Sequence, residues 1–218
     1  MAHNSGGMKD RSAEVLPEPL LEEIAKVATV RTFPKNSIIV SEGDETDSIY
    51  VVLAGKARVY VADADGREVQ VNRIGPGEYF GEVTLDGGPR SASVMALEEC
   101  RCGIIKGAEF GAFLDENPRF ALHLVRKLAH RVRALTENVR SLALMDVYGR
   151  VARLLLELAE DVDGRMVIGE SLTHKDIASR VGCSREMISR IFSDLVAGGY
   201  VAKEAGKLVI LRRPPARW

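Results

Sequence analysis

The most restrictive pattern in this chain lies at residues 173–191, which predict two short helices separated by a tight turn. Thr173 and Ser184 are residue types that cap helix N-termini, and Gly182 stands where a helix C-cap needs a positive φ. Apolar residues recur at helical spacing, as Ile177, Ala178 and Val181 and then as Met187, Ile188, Ile191, Phe192 and Leu195. Together these signals predict a helix-turn-helix.

The exposed side of the second helix carries side chains suited to base recognition, namely Ser184, Arg185, Glu186, Ser189 and Arg190. Arginine pairs with guanine, and glutamate accepts a hydrogen bond from cytosine. The second helix of such a motif enters the major groove, so we expect binding to double-stranded DNA at an inverted repeat. His174, at the start of the first helix, is expected to contact a phosphate. The alternative is an ordinary helical hairpin with a solvated, charged face.

Charge is distributed unevenly along the chain. Residues 1–118 hold 12 Lys and Arg against 20 Asp and Glu, a net charge of −8, whereas residues 119–140 hold 6 against 1, a net charge of +5. Residues 146–218 hold 12 against 10, a net charge of only +2. The acidic part is a poor surface for DNA phosphates. The prediction of DNA binding therefore rests on the motif rather than on charge.

The overall composition, 46% hydrophobic and 28% charged, is that of an ordinary globular protein. No apolar run approaches the roughly 20 residues of a membrane helix. Residues 1–13 lack the apolar core of a signal peptide, so we expect a disordered lead-in and a cytoplasmic protein without a membrane partner. Cys100, Cys102 and Cys183 have no metal-ligand spacing. With no acid–base pair or nucleophile motif, neither an enzyme nor a metal site is expected.

Short runs rich in valine, isoleucine and tyrosine fill the chain from about Val30 to Lys106, with glycine-bearing turns between most of them. The predicted strands are 37–40, 48–53, 56–62, 68–74, 79–81, 91–96 and 100–105. Short helices are predicted at 17–28 and 109–114. Many short strands at near-even spacing favour a small barrel or jelly roll.

A long helix is predicted to open at Asn117 and Pro118, and its apolar residues alternate at steps of four and three. They are Ala121, Val125, Leu128, Val132, Leu135, Val139 and Leu142. Such a seam is typical of a coiled coil, so we expect a homodimer through Val125, Leu128, Val132, Leu135, Val139 and Leu142. The alternative buries this stripe against the chain's own barrel.

The remainder of the chain predicts a winged helix domain. Asp146 can cap a further helix, 166–168 is a short strand, and 200–203 with 207–211 bracket a turn that makes a two-stranded wing. The tail, 212–218, has no periodicity and is expected to be flexible. The predicted organisation is an α+β fold with the lead-in at 1–13, an effector domain at 14–116, the dimerisation helix at 117–145 and the DNA-binding domain at 146–218.

Residues 80–92 contain a glycine-bearing loop followed by Arg90. Successive loop amides and an arginine can hold a phosphate, and a nearby carboxylate such as Glu82 can accept from a sugar hydroxyl. On these residues alone, an anion site and a plain hairpin loop remain equally open.

The chain resembles the cAMP receptor protein/fumarate-nitrate regulator (Crp/Fnr) family of bacterial transcription factors from about Leu16 to Leu211. The resemblance rests on Gly43, Gly55, residues 75–82, residues 90–92, the long helix, residues 146–152 and residues 181–186. It implies an N-terminal cyclic-nucleotide-binding β-roll (jelly roll), a long dimerisation helix and a C-terminal winged helix-turn-helix. It also implies RNA polymerase as a partner.

The resemblance further implies an effector site for a cyclic nucleotide, with cAMP as the expected ligand. The matched positions are Val59, Val71 and Phe80 at the base, Gly81 and Glu82 at the ribose, Arg90, Ser91 and Ala92 at the phosphate, and Thr136 at the adenine from the other subunit. Leu135 stands where the cAMP receptor protein has an adenine-binding threonine, and the loop between Glu82 and Arg90 is shorter than in that protein. Ser189 matches the fumarate-nitrate branch.

The sequence thus predicts a homodimeric regulator in which a small effector reorients the winged helices, with Asp146 as the hinge. Three alternatives stay open. The effector could be a different ligand or none, and Arg90 could be structural with Glu82 as its salt-bridge partner. The third alternative is a nucleotide-gated regulatory subunit of an enzyme. Residues 173–191 disfavour it, because such a subunit would need no base-reading helix.

Overall fold

The computed structural model describes residues 15–204 and 206–215. The lead-in predicted at 1–13 and the last three residues of the tail lie outside this range. The described chain falls into two compact units, 15–132 and 133–215. The division falls inside the long helix, so each unit contains part of it. Among the described helices, none combines the length and apolarity needed to cross a bilayer.

In its described part, the first unit contains eight strands. They are β1 (Thr29–Phe33), β2 (Ile38–Val40), β3 (Ile49–Ala54), β4 (Ala57–Ala62), β5 (Glu68–Ile74), β6 (Tyr79–Phe80), β7 (Ser93–Ala96) and β8 (Cys100–Ile105). They form two antiparallel sheets in the orders β1-β8-β3-β6 and β2-β7-β4-β5. Inward side chains including Val52, Val59 and Phe80 make an apolar core. The predicted jelly roll and the α+β class are confirmed.

Two elements of this unit escaped the sequence pattern. Strand β1 has only Phe33 buried, so it shows no apolar alternation and is held by its ladder with β8, from Thr29 opposite Ile104 to Phe33 opposite Cys100. A 3-10 helix, Glu82–Asp86, occupies what looked like a plain loop. It begins after Gly81, whose φ is +95°, a conformation that favours glycine.

Three helices flank the strands: α1 (Glu18–Val27), α2 (Gly107–Glu116) and α3 (Pro118–Leu144). The buried face of α3 carries Phe120, Leu124 and Lys127. The opposite stripe is open: Val125 is 61% exposed, Val132 62% and Val139 65%. The alternative in which this stripe packs on the chain's own barrel is therefore wrong.

The second unit contains the rest of the described elements. They are α4 (Val147–Leu158), β9 (Glu160–Val162), β10 (Arg165–Ile168), α5 (His174–Val181), α6 (Arg185–Ala197), β11 (Val201–Glu204) and β12 (Lys207–Ile210). The predicted two-stranded wing forms as the antiparallel pair β11 and β12, and it belongs to a sheet of four strands in the order β11-β12-β10-β9. All three residues of β9 are exposed, so no apolar pattern marked it.

The helix-turn-helix forms as its caps predict. Thr173 accepts from the Asp176 amide at 3.1 Å and the Asp176 carboxylate accepts from the Thr173 amide at 2.9 Å, which completes a capping box. Gly182 ends α5 with a φ of +73°, and the Ser184 hydroxyl accepts from the Met187 amide at 3.2 Å. The Asp146 carboxylate likewise accepts from the Gly149 amide, at 2.7 Å, at the start of α4.

The start of the tail is fixed rather than flexible. The Arg212 guanidinium donates to the carbonyl oxygens of Gly198 and Gly199 and lies 4.8 Å from the centre of the Tyr200 ring. Pro214 is buried. Arg212 and Pro214 therefore have defined places where a flexible tail was predicted, and contacts of this kind are not periodic and so left no pattern.

Candidate effector site and nucleic-acid interface

Arg90 is buried in the first unit, with only 3% of its surface exposed. Its Nε donates to the Thr46 hydroxyl at 3.0 Å, Nη1 to the Gly81 carbonyl at 3.1 Å and Nη2 to the Ser48 carbonyl at 2.7 Å. All three acceptors are neutral. A guanidinium has five N–H groups, so two donors remain after these bonds.

The charge on Arg90 is poorly compensated. Within residues 15–204 and 206–215, no carboxylate forms an ion pair with it. Burial lowers the pKa of the guanidinium, while Asp47, Asp44 and Glu82 act in the opposite direction from a greater distance. A buried cation that lacks a counter-charge favours an incoming anion.

Gly81 permits this placement of Arg90. A Cβ atom at position 81 would stand 2.6 Å from Arg90 Nη1 and 2.7 Å from the Ser48 carbonyl oxygen. Any side chain there would push against backbone, and the positive φ of Gly81 adds strain for L-residues. The turn at Gly81 and the Arg90 side chain therefore depend on each other.

Glu82 is the second buried charge of the site, with 2% of its surface exposed. Its Oε1 atom accepts from Arg131 Nη1 at 3.0 Å and lies 3.7 Å from Lys127 Nζ. Its Oε2 atom is buried without a hydrogen-bond partner in the described part of the chain. The alternative in which Glu82 is the salt-bridge partner of Arg90 is wrong, because Lys127 and Arg131 of α3 pair with Glu82 instead.

Lys127 was missed by sequence reasoning, since a lysine on an amphipathic helix is usually solvated. Here it is 2% exposed, its Nζ lies 3.4 Å from the centre of the Tyr79 ring, and it donates to the Tyr79 carbonyl oxygen. The usable signal was a second stripe at steps of four and three, formed by Phe120, Leu124, Lys127 and Arg131.

His123 extends this cluster toward the start of the described chain. Its Nδ1 lies 3.2 Å from the Tyr79 hydroxyl, and its Nε2 lies 3.2 Å from the Val15 carbonyl oxygen. Burial lowers the pKa of His123, and the charges of Lys127 and Arg126 act in the same direction. His123 therefore favours its neutral form at this position.

The other residues predicted to bind the effector either belong to an apolar cluster or are exposed. Val59, Val71, Phe80 and Ala92 share one apolar cluster, and the Phe80 ring stacks on Tyr50 at 4.9 Å. Ser91 is exposed. Leu135 and Thr136 are exposed on the part of α3 that belongs to the second unit. Tyr50, with Thr46 and Ser48, is an addition that the sequence did not indicate.

The base-reading candidates Arg185, Glu186, Ser189 and Arg190 are all exposed on α6. Their neighbours Ile188, Ile191 and Leu195 are buried, which fixes the orientation of the helix. The Glu186 carboxylate accepts from its own amide and from the Ser184 hydroxyl, and these bonds lower its pKa. Glu186 therefore remains a charged acceptor at and below neutral pH.

Comparison with known proteins places both units in one class. A model of the cyclic nucleotide-binding domain matches residues 30–117, and a model of the Crp-like helix-turn-helix domain matches residues 149–215. The CRP-like cAMP-activated global transcriptional regulator of Mycobacterium tuberculosis (strain CDC 1551 / Oshkosh) is 32% identical over 184 residues, 82% of each chain. The cAMP-activated regulator CRP of Pasteurella multocida is 30% identical over 89% of this chain and 95% of that protein.

The fold is also similar to that of a solved structure, the c-di-GMP responsive global regulator CLP of Xanthomonas campestris. The TM-score is 0.79 at 23% identity, covering 89% of this chain and 99% of that one. At this identity the likeness concerns the fold alone. The two curated relatives are named as transcriptional regulators rather than enzymes.

The buried cation on α3 yields a stability prediction. Replacing Lys127→Met removes one partner of Glu82 and the donor to the Tyr79 carbonyl, so the free energy of unfolding should fall by about 3 kcal/mol. Urea denaturation followed by circular dichroism measures this change. The exposed neighbour provides the control, because Arg126→Met should change stability by no more than about 0.5 kcal/mol. Equal unfolding midpoints for the two variants would contradict the role given to Lys127.

Proposed function

This chain belongs to the Crp/Fnr family of transcriptional regulators, and we propose that it works as a homodimer whose DNA binding is controlled by a cyclic nucleotide. The observation that carries the proposal is the pairing of Arg90, a buried cation without an ion-pair partner in the described chain, with the unpartnered Glu82 Oε2 atom. A cyclic nucleotide offers both complements: an anionic phosphodiester and a ribose hydroxyl.

In the proposed complex, the two spare N–H groups of Arg90 donate to the cyclic phosphate, assisted by the Ser91 hydroxyl and the Ala92 amide. Glu82 Oε2 accepts from the ribose 2′-hydroxyl, while Lys127 and Arg131 hold Oε1. Val59, Val71 and Phe80 provide an apolar wall for the base, Gly81 faces the ribose, and Thr136 of the second subunit reaches the base edge. The regulators named as cAMP-activated among the relatives make cAMP the first candidate.

A different nucleotide is the second candidate, and Leu135 favours it. A leucine cannot form a hydrogen bond to a base, so recognition of adenine at this position loses one contact. Val59, Val71 and Phe80 have apolar side chains, so they cannot distinguish one base from another by hydrogen bonds. Discrimination among bases would then fall mainly to Thr136.

The homodimer is proposed to form through the open stripe of α3, at Val125, Leu128, Val132, Leu135, Val139 and Leu142. All six side chains are at least 37% exposed in the single chain, and a partner helix would bury them. The helix ends at Leu144 and α4 begins at Val147 under the Asp146 cap, so we place the hinge at Asp146. Effector binding would reorient the winged helices there for DNA and for RNA polymerase.

For DNA, we propose that α6 enters the major groove, with Arg185 and Arg190 each specifying a guanine and Glu186 a cytosine. Ser184 and Ser189 lie on the same exposed side. His174, at the first turn of α5, contacts a phosphate and so contributes affinity without sequence preference.

The first prediction concerns dimerisation. Leu128→Asp combined with Leu135→Asp places charges in the α3 seam, so sedimentation should give monomers and DNA binding should be lost. Arg133→Asp combined with Arg140→Asp introduces the same two side chains outside the seam and should leave the dimer intact. An intact dimer in the seam variant would refute the interface.

The second prediction concerns the effector and uses calorimetric titration with cAMP and cGMP. Arg90→Leu should weaken binding by at least about 1.5 kcal/mol, the lower end for a hydrogen bond to a charged group. Arg101→Leu, on the exposed side of β8, is the matched control and should bind normally. Because Arg90 also supports the turn at Gly81, 2′-deoxy-cAMP with the unchanged protein gives an independent test of Glu82. If no cyclic nucleotide binds at millimolar concentration, the proposed effector class is wrong.

The third prediction concerns the DNA site, determined by selection from random DNA. A two-fold dimer should recover an inverted repeat with half-sites about one helical turn apart, related to TGTGA. Arg185→Ala should relax preference at one base pair per half-site, by about 1–3 kcal/mol. A non-palindromic motif, or an unchanged base preference in Arg185→Ala, would exclude this mode of reading.

A further inference from the structure

A hydrogen bond joins the two helices of the DNA-binding motif at the centre of the base-reading side. His174, the first residue of α5, places its Nδ1 atom 2.9 Å from the Ser189 hydroxyl oxygen on α6. The His174 ring also packs against Phe192, with 5.1 Å between ring centres. Two residues of α6 therefore fix the His174 ring: Ser189 through a hydrogen bond and Phe192 through ring packing.

The Ser189 hydroxyl has a second neighbour, because its oxygen lies 3.1 Å from the Arg185 carbonyl oxygen one turn earlier in α6. A hydroxyl has one proton and two acceptor lone pairs. If His174 Nδ1 carries its proton, it donates to Ser189, and the Ser189 proton goes to the Arg185 carbonyl. If Nδ1 is bare, Ser189 donates to it. In both tautomers the hydroxyl proton is used inside the protein.

We propose that His174 is a positioning residue for base recognition, which holds Ser189 as a hydrogen-bond acceptor toward DNA. Ser189 then selects a base with an exposed amino group in the major groove, adenine through N6 or cytosine through N4. The partner base in each pair, thymine through O4 or guanine through N7 and O6, presents acceptors there and finds no donor on Ser189. A pair is therefore distinguished from its reversed form by which base lies on the strand facing Ser189. This inference rests on the proposed reading of DNA by α6.

The two nitrogens of His174 have separable tasks under this proposal. Nδ1 is engaged with Ser189, which leaves Nε2 for the phosphate contact proposed above. A phosphate contact alone would affect all sequences equally, whereas the Ser189 contact affects one base pair per half-site. That difference allows a positioning role to be separated from a purely electrostatic one.

The experiment is selection from random DNA with the full chain, compared among four variants. Ser189→Ala identifies the base pair that faces this residue. His174→Phe keeps an aromatic ring against Phe192 but removes both nitrogens. His174→Asn keeps a side-chain donor at the place of Nδ1 and removes Nε2. Lys175→Ala, at the exposed neighbouring position, is the control for a loss of positive charge.

At the identified base pair, the wild type should prefer the orientation that places the amino-bearing base, adenine or cytosine, on the strand facing Ser189 over the reversed pair. In His174→Phe that preference should fall about fivefold, the factor for one hydrogen bond of about 1 kcal/mol, with other positions unchanged. His174→Asn should restore the preference while binding all sequences more weakly, and Lys175→Ala should leave every base preference intact. Circular dichroism of each variant confirms folding.

Three results would overturn the inference: equal preference for that base pair and its reversed form, no base pair affected by Ser189→Ala, or uniform weakening in His174→Phe with preferences retained. The same selection separates this failure from failure of the proposed function. If an inverted repeat that depends on Arg185 is recovered, α6 reads DNA whatever His174 does. If none is recovered, the proposed reading itself is wrong.

Discussion

The carboxylate of Glu82 is the constraint on which the first unit depends. It stands at the start of the 3-10 helix after β6, is buried, and shares one oxygen between Lys127 and Arg131 of α3. Burial of a charge is costly without such partners. Anything that engages the other oxygen therefore acts on a group already tied to the long helix. A ligand bound as proposed and the long helix would meet at this one side chain, without an intervening chain of contacts.

Arg90 completes this arrangement from the other side of Gly81. Glu82 depends on charges from α3, whereas Arg90 depends on neutral backbone and hydroxyl oxygens. An added anion would therefore stabilise the charge of Arg90, whereas the Glu82 carboxylate already has its counter-charges on α3. Arg90 donates to the Gly81 carbonyl and Glu82 is the next residue, so a single peptide unit joins the two charged residues.

The sequence predicted most of the fold because its signals were local. The caps at Thr173 and Ser184 and the apolar spacing around Ile188 depend only on neighbouring residues, and the structure confirms them. Strands β1 and β9 were missed because their residues are exposed and only pairing with another strand defines them. Of the effector site, the glycine turn, Glu82 and Arg90 could be identified. Lys127 was marked only by its place in the second stripe of α3, and its contact partner could not be predicted, because Tyr79 is 48 positions away.

The closed environment of position 81 limits how this site can diversify in evolution. Even a methyl group there meets the Arg90 guanidinium and the Ser48 backbone, which leaves no gradual path of substitution at the end of the site proposed for the phosphate. The apolar wall of Val59 and Val71 imposes no such restriction, since volume-conserving exchanges among apolar residues are tolerated. At the proposed site, new ligand preferences would therefore arise where the base is expected to lie, and the proposed sugar–phosphate contacts would be inherited unchanged.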